Sequence, residues 1–308
     1  MSSPRPSNAA IWAAMGAIYL FWGSTYLGIR IALESLPPFL MAGFRFAVAG
    51  LIFYAFARLR GAPQPTRKQV LNAALIGILL LGVGNGGVVW AEQWVASGLV
   101  AVIVAAAPVW MVGIDRFFYK GSVSWPQLLG VAVGIAGIVI LVNPTAGGAT
   151  LFPILVLLLT SVSWAAGTVY GRHAAVPAAA SLANGIEVLT AAVVMAGFGL
   201  LRGEAGQLHL DHVSLRSLLA LAWLITFGSL VGFSCYAWLI RAAPVVLVST
   251  QAYISPVVAL ILGALIVGER ITLREVIASA VIVVAVALIA TAPLLIRPRD
   301  AEQLERVA

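Results

Sequence analysis

Apolar residues in this chain come in blocks of about twenty, the length needed to cross a bilayer as a helix. The rare charges mark the seams between blocks. Pro6 to Ile29 carries no charge, Ser35 to Ala57 carries only Arg45, and Gln69 to Ala91 carries none. Gln93 to Ile114 is uncharged, and so is the long run from Gly121 to Gly171. That run is two blocks, split by Asn143-Pro144-Thr145-Ala146-Gly147-Gly148, whose residue types mark a loop. Ala174 to Leu201 contains only Glu187, and Ser217–Ile240, Ala242–Gly268 and Val276–Ile296 complete the set. The pattern predicts an all-α integral membrane protein of ten transmembrane helices, at 10–33, 38–58, 69–91, 95–117, 125–142, 151–171, 180–201, 216–240, 244–267 and 274–295. The first block is longer than the core of a cleavable signal peptide, and no small-x-small cleavage site follows it, so it reads as the first span.

Comparing the chain with itself adds a second level of organisation. Phe21-Trp22-Gly23-Ser24-Thr25-Tyr26-Leu27-Gly28-Ile29-Arg30 matches Ser163-Trp164-Ala165-Ala166-Gly167-Thr168-Val169-Tyr170-Gly171-Arg172, with Trp22/Trp164 and Arg30/Arg172 in register. The same offset pairs Gly43/Gly185, Arg45/Glu187, Arg60/Arg202 and Gly61/Gly203; a slightly longer one pairs Trp90/Trp238 and Pro108/Pro256. The chain thus reads as two repeats of five helices, 10–145 and 150–293, flanked by a short N-terminal stretch at 1–9 and a tail at 297–308. Five is odd, so the second repeat enters the membrane from the opposite side. Inverted repeats are a transporter design, with the solute held near the midplane between halves that exchange conformations.

Composition sharpens this picture. The 308 residues are 62% hydrophobic and 9% charged, with mean hydropathy +1.04. A soluble domain carries about 25% charged residues. A soluble enzyme, a disordered chain and a secreted disulfide scaffold are excluded, the last also because Cys235 is the only cysteine. The net charge of +7 concerns topology rather than nucleic acid. Twelve of the 18 Lys and Arg fall on one side of the predicted spans: Arg5, Arg58, Arg60, Arg67, Lys68, Arg116, Lys120, Arg172, Arg241, Arg297, Arg299 and Arg306. That side is expected to be cytoplasmic, with both termini on it.

Candidate solute contacts are few. Trp22 and Trp164 lie midway along their helices, too deep for interfacial anchors; they read as cavity walls, with helix packing as the alternative. Trp12, Trp94, Trp125 and Trp223 lie near helix ends and read as interface anchors. Asn85 sits among Gly82, Gly84, Gly86 and Gly87, ahead of Trp90, and reads equally as a ligand contact or a helix–helix hydrogen bond. Thr168, Ser234, Gln251 and Tyr253 complete the expected cavity set. Pro108 and Pro256 each remove a backbone hydrogen bond and stand as gating or static kinks. Arg45 and Glu187 are charges well inside spans, each roughly 10 Å deep from opposite faces at ~1.5 Å per residue. Snorkelling to the nearer face is expected for both, with Glu187 kept as a proton site. Gly130, Gly134 and Gly137 form a close-packing stripe for use within the chain or in a dimer. No Walker sequence, metal-ligand cluster or nucleophile–base set is present, so neither a cofactor nor an enzyme activity is expected.

The Trp22-Gly23-Ser24-Thr25-Tyr26 stretch with Arg30, and Pro256-Val257-Val258-Ala259 followed by Gly268-Glu269-Arg270-Ile271-Thr272, resemble the start and end of an EamA repeat of the drug/metabolite transporter superfamily. The resemblance covers about residues 10–293. Lys120-Gly121-Ser122-Val123-Ser124 departs from it, lacking the acidic residue, so Glu269 reads as a capping residue of its linker. The resemblance implies ten helices, cytoplasmic termini, a central cavity and export of small metabolites, with YddG-type amino-acid exporters as one neighbour. The expected protein is an inner-membrane exporter of neutral or zwitterionic metabolites, foremost aromatic or apolar amino acids, working by alternating access as a uniporter. It would meet only its solute and the lipid bilayer, as a monomer or homodimer, and no nucleic acid. A proton-coupled multidrug or purine exporter, and a receptor or scaffold that moves nothing, stand as alternatives.

Overall fold

The computed structural model describes residues 7–120, 123–142, 151–243, 247–248 and 250–295. The stretch before residue 7, the loop at 143–148, the tail at 297–308 and the side chain of Tyr253 lie outside the described residues. The described residues form long helices: α1 (Asn8–Ala32), α2 (Pro38–Leu59), α3 (Arg67–Ala91), α4 (Ser97–Tyr119), α5 (Trp125–Val142), α6 (Leu151–His173), α7 (Ala180–Leu201), α8 (Leu215–Trp223, running on to Ala242), α9 (Gln251–Val267) and α10 (Leu273–Leu295). Seven of them, α1 to α4 and α6 to α8, are long and apolar enough to cross a membrane; α5 and α9 contain shorter apolar stretches.

Local chemistry sets the helix ends. Ser7 accepts from the Ala10 amide at the start of α1, and Ser214 from the Ser217 amide at the start of α8. Thr66 and Gln69 form a capping box at α3, the Thr66 hydroxyl accepting from the Gln69 amide and the Gln69 side chain from the Thr66 amide. α2, α4, α7 and α9 all run into a residue in the left-handed region: Gly61 (φ 74°), Lys120 (φ 55°), Gly203 (φ 76°) and Gly268 (φ 67°). A left-handed residue ends a helix by turning its amides back onto the last carbonyls, and glycine adopts it without a Cβ penalty. Lys120 does so without that freedom.

Two helices are irregular in the same way. α3 contains a π-helical stretch at Ile78–Asn85, and α8 one at Leu224–Val231. Such wider turns release backbone groups and recur at functional sites. α4 is interrupted after Val104, just ahead of Pro108, whose ring cannot donate to the Val104 carbonyl. The Ser161 hydroxyl of α6 donates to that carbonyl instead, at 3.4 Å. Pro256 stays inside a continuous α9.

Small residues let the helices approach. A Cβ added at Gly43 or Gly50 of α2 would meet Ala196 or Leu189 of α7, and one at Gly185 of α7 would meet the backbone of Tyr54. Gly130 and Gly137 of α5 lie against Ile289 and Ile282 of α10, so the glycine stripe is used within the chain. The closest approach to a neighbouring backbone is at Gly77 of α3, where an added Cβ would lie 2.2 Å from the Glu187 carbonyl oxygen of α7. The main core gathers α1 to α8 and α10 around Phe46, Ile103, Leu157, Met195 and Leu224. A smaller cluster of Met15, Ile18, Leu239 and Val248 closes the end where α1 begins.

Candidate functional site

Where the π-helical stretches of α3 and α8 face inward, a cavity of about 150 Å³ opens between the helices. Its walls are aromatic: Trp22, Tyr26, Phe46, Trp164 and Phe233. Trp22 is held by Phe233 and Tyr236, with ring centroids 5.9 and 5.0 Å away. A Cβ at Gly232 would stand 2.5 Å from the Trp22 ring nitrogen, so α8 needs glycine there for the indole to lie against it. The polar lining comes from Thr25, Arg45, Asn85, Gln251 and Ser255, with Pro108 and Pro256 beside them. A second depression of about 500 Å³, bordered by α9 and α10, is lined by aliphatic side chains and Ser279 and offers little to orient a polar solute.

The structure brings Trp22, Asn85, Pro108, Trp164, Gln251 and Pro256 to one cavity. Three other expected residues are turned elsewhere by helical phase. Trp90 stacks on Trp94 and Phe152. The Thr168 hydroxyl donates to the Trp164 carbonyl one turn back, at 2.9 Å. Ser234 is exposed, and its neighbour Phe233 faces the cavity instead. Glu187 is half-buried on α7, away from the lining. Trp12, Trp94 and Trp125 are 59%, 51% and 75% exposed. Trp223 is not one of them: it packs against Phe21 and Phe227, and its indole donates to the Ser24 hydroxyl at 3.0 Å.

Arg45 corrects a sequence expectation. It does not snorkel; it is 3% exposed and lines the cavity. Its Nε donates to the Ser229 hydroxyl at 3.0 Å, and its guanidinium lies 4.9 Å from the centre of the Phe46 ring. Gly228 leaves the room, since a Cβ there would meet Thr25 at 2.7 Å and Arg45 Nη2 at 3.2 Å. Depth along one helix does not reveal such a position; a facing Gly-Ser pair on α8 creates it.

Beyond the cavity, at the end where α3 stops, lies a group of charges. Glu92 is fully buried, and neither carboxylate oxygen has a hydrogen-bond partner. Burial first, then nearby Glu269, push its carboxyl well above the usual carboxylate range, against the pull of Arg30 and Arg45. Arg30 donates to the Glu92 backbone carbonyl. Glu269 reaches across to α4, accepting from the Ser97 amide at 2.8 Å and the Gly98 amide at 3.2 Å. Glu204 does the same for α2, accepting from Phe39 and Leu40 at 3.3 and 2.9 Å. Each glutamate follows a left-handed glycine, Gly203 or Gly268, and caps a helix from the first half of the chain. The corresponding sites after α2 and α4 read Gly61-Ala62 and Lys120-Gly121, without an acid. The Glu269 cap therefore serves α4, beyond its own linker. The opposite end is joined differently. The Tyr19 and Thr250 hydroxyls pair at 2.5 Å beside the small apolar cluster, and Asn72 and Gln69 of α3 donate to the Ala175 and Val176 carbonyls.

Apolar spanning helices around an aromatic, partly polar cavity define a helical membrane carrier. The chain belongs to the EamA-like transporter family: the family model matches residues 8–143 and again 151–291. It is therefore a membrane transporter. It is 40% identical over 266 residues to the protein described as "Uncharacterized inner membrane transporter YedA" of Escherichia coli (strain K12), spanning 85% of this chain and 84% of that one. It is 22% identical over 265 residues to the "Probable amino-acid metabolite efflux pump" of the same organism, over 83% and 86%. A crystal structure of another protein superposes with a TM-score of 0.64 at 20% identity, over 92% of this chain and 98% of that one, which speaks to the fold.

Proposed function

We propose that this transporter crosses the inner membrane ten times as two inverted five-helix repeats, with both termini cytoplasmic, and exports small neutral or zwitterionic metabolites, foremost amino acids with apolar or aromatic side chains. Matching π-helical stretches in α3 and α8 and the doubled family match support the repeats. The cavity is the observation that carries the substrate reading. Two indoles from corresponding positions in the two halves flank it, and amide and hydroxyl groups lie between. Aromatic walls take an apolar side chain, and the polar groups orient a backbone-like head. The efflux pump among the relatives is of the same substrate class. The halves rock about the Trp22/Trp164 region, and a solute of no net charge moves down its own gradient with little help from the membrane potential. Among the described lining residues there is no carboxylate, which disfavours a proton-driven exporter of cations. Purified protein in liposomes, assayed with labelled amino acids, tests the reading. Uptake above empty liposomes is expected for aromatic and branched amino acids; none for any amino acid defeats it.

A further inference from the structure

We infer that Arg45 is the residue that recognises a carboxylate in the cavity, and that the transporter therefore selects solutes carrying one. The inference rests, for transport, on the substrate reading above and deepens it to a chemical class.

A buried guanidinium without a paired anion is expensive in an apolar interior, and such a cation is normally matched by a carboxylate. Arg45 is not. Among the described residues it makes no ion pair within 4.0 Å, and its Nη1 has no hydrogen-bond partner. Its other contacts hold it in place rather than neutralise it. Ser229 fixes Nε, Phe46 lies beside the guanidinium, and the absence of a side chain at Gly228 clears Nη2. The side chain is thus oriented with the Nη1 arm unpartnered, and the residue lines the cavity. A carboxylate oxygen is the acceptor that best fits a free guanidinium arm.

A second buried group in the same lining points to the other half of such a solute. Asn85 Oδ1 is buried and has no partner either. It is an acceptor, suited to the ammonium of an amino acid, as Arg45 Nη1 is suited to its carboxylate. An unpartnered guanidinium nitrogen and an unpartnered amide oxygen, on two residues that line one aromatic cavity, form the complement of a zwitterion. Glu92 is the carboxylate that acts on Arg45 electrostatically, yet it forms no ion pair with it. It leaves the free arm unoccupied. A purely structural Arg45, tying α2 to α8 through Ser229, would leave Nη1 without a purpose.

The experiment uses full-length protein in liposomes without an imposed potential, with empty-liposome leak subtracted. Three solutes are compared: phenylalanine, phenylalaninamide, which lacks the carboxylate, and 3-phenylpropionate, which lacks the amine. Wild type is expected to prefer phenylalanine to its amide by about 10- to 100-fold in kcat/KM, the range for a charge-assisted hydrogen bond. Arg45→Gln brings that ratio close to one, and Arg45→Lys keeps part of it. Because both solutes are measured on one preparation, the ratio does not depend on how much of a variant folds. A ratio in Arg45→Gln within about twofold of wild type overturns the inference, as does a wild type that moves the amide as well as the acid. If wild type moves none of the three, the amino-acid reading fails, and Arg45 is read separately by quenching of tryptophan fluorescence with 3-phenylpropionate. Quenching in wild type that is lost in Arg45→Gln supports the carboxylate site; no quenching in wild type overturns it.

Discussion

Replacing Glu269 by alanine removes one side chain and strands two backbone donors. Glu269 Oε1 and Oε2 accept from the Ser97 and Gly98 amides at the first turn of α4. Ser97 is fully buried, so water does not take over its amide when the carboxylate is gone. Loss of a helix cap is worth about 1 kcal/mol and reaches about 2 when the site is well formed. Loss of a negative charge from the positive end of the helix dipole adds about 0.3–1 kcal/mol, more where the site is partly buried. Relief of repulsion with Glu92 returns a fraction of this. The expected loss for Glu269→Ala is thus about 2 kcal/mol. Glu269→Gln keeps one acceptor oxygen but turns an NH2 group toward the other amide and removes the charge, so it falls between alanine and wild type. Equilibrium unfolding of the purified protein in mixed micelles, followed by circular dichroism, measures the series. An alanine variant within about 0.5 kcal/mol of wild type would show that the reach across to α4 stabilises nothing, and the capping argument would be wrong.

Other positions give sharp tests. Gly77→Ala places a methyl group 2.2 Å from the Glu187 carbonyl oxygen, a backbone atom that yields only if α3 and α7 separate. Even after the gain in helix propensity it is expected to lose about 1–3 kcal/mol in the same unfolding assay, and unchanged stability would refute the close approach. Gly232→Ala displaces the Trp22 ring, 2.5 Å from the added Cβ, so it should shift tryptophan emission and raise KM more than it lowers stability; an unchanged emission spectrum and KM would count against Trp22 as a cavity wall. Glu92→Gln tests the buried carboxyl. Because its folded-state proton affinity is raised, ionisation opposes folding at every pH above the ordinary carboxylate range. The glutamine variant should therefore melt above wild type at pH 7.5, and the gap should close as the pH falls toward 4; a variant less stable at pH 7.5 would refute this sign.

The helices were legible because an uncharged block of the right length has few other uses. The expected first boundary, 10–33, differs from Asn8–Ala32 by no more than two residues. Trp22, Asn85, Trp164 and Gln251 were legible as candidate lining because they are polar or aromatic deep within apolar blocks. Thr168 and Ser234 share that character and still do not line the cavity, since rotation about the helix axis, not composition, decides where a side chain points. The Thr168 hydroxyl, within reach of a carbonyl one turn back, was the available signal against it. Arg45 was misread because its environment is made by Gly228 and Ser229, remote in sequence. Glu204 was missed for a similar reason. The Gly61/Gly203 match was visible, but that the next residue caps α2 depends on how two helix ends meet.

The left-handed residues after α2, α4, α7 and α9 are a shared device for ending a helix, but only two of the four carry a glutamate onward to a neighbouring helix. Neither glutamate lines the cavity. The caps that tie those helix ends together and the lining of the cavity are therefore separate sets of side chains. A single acid gained or lost after a turn glycine adds or removes a tie between two helix ends, and it touches none of the aromatic walls. Substitutions at Trp22, Arg45 and Asn85 alter the cavity lining and leave those caps in place. The ties between helix ends and the shape of the cavity can therefore vary independently of each other in this fold.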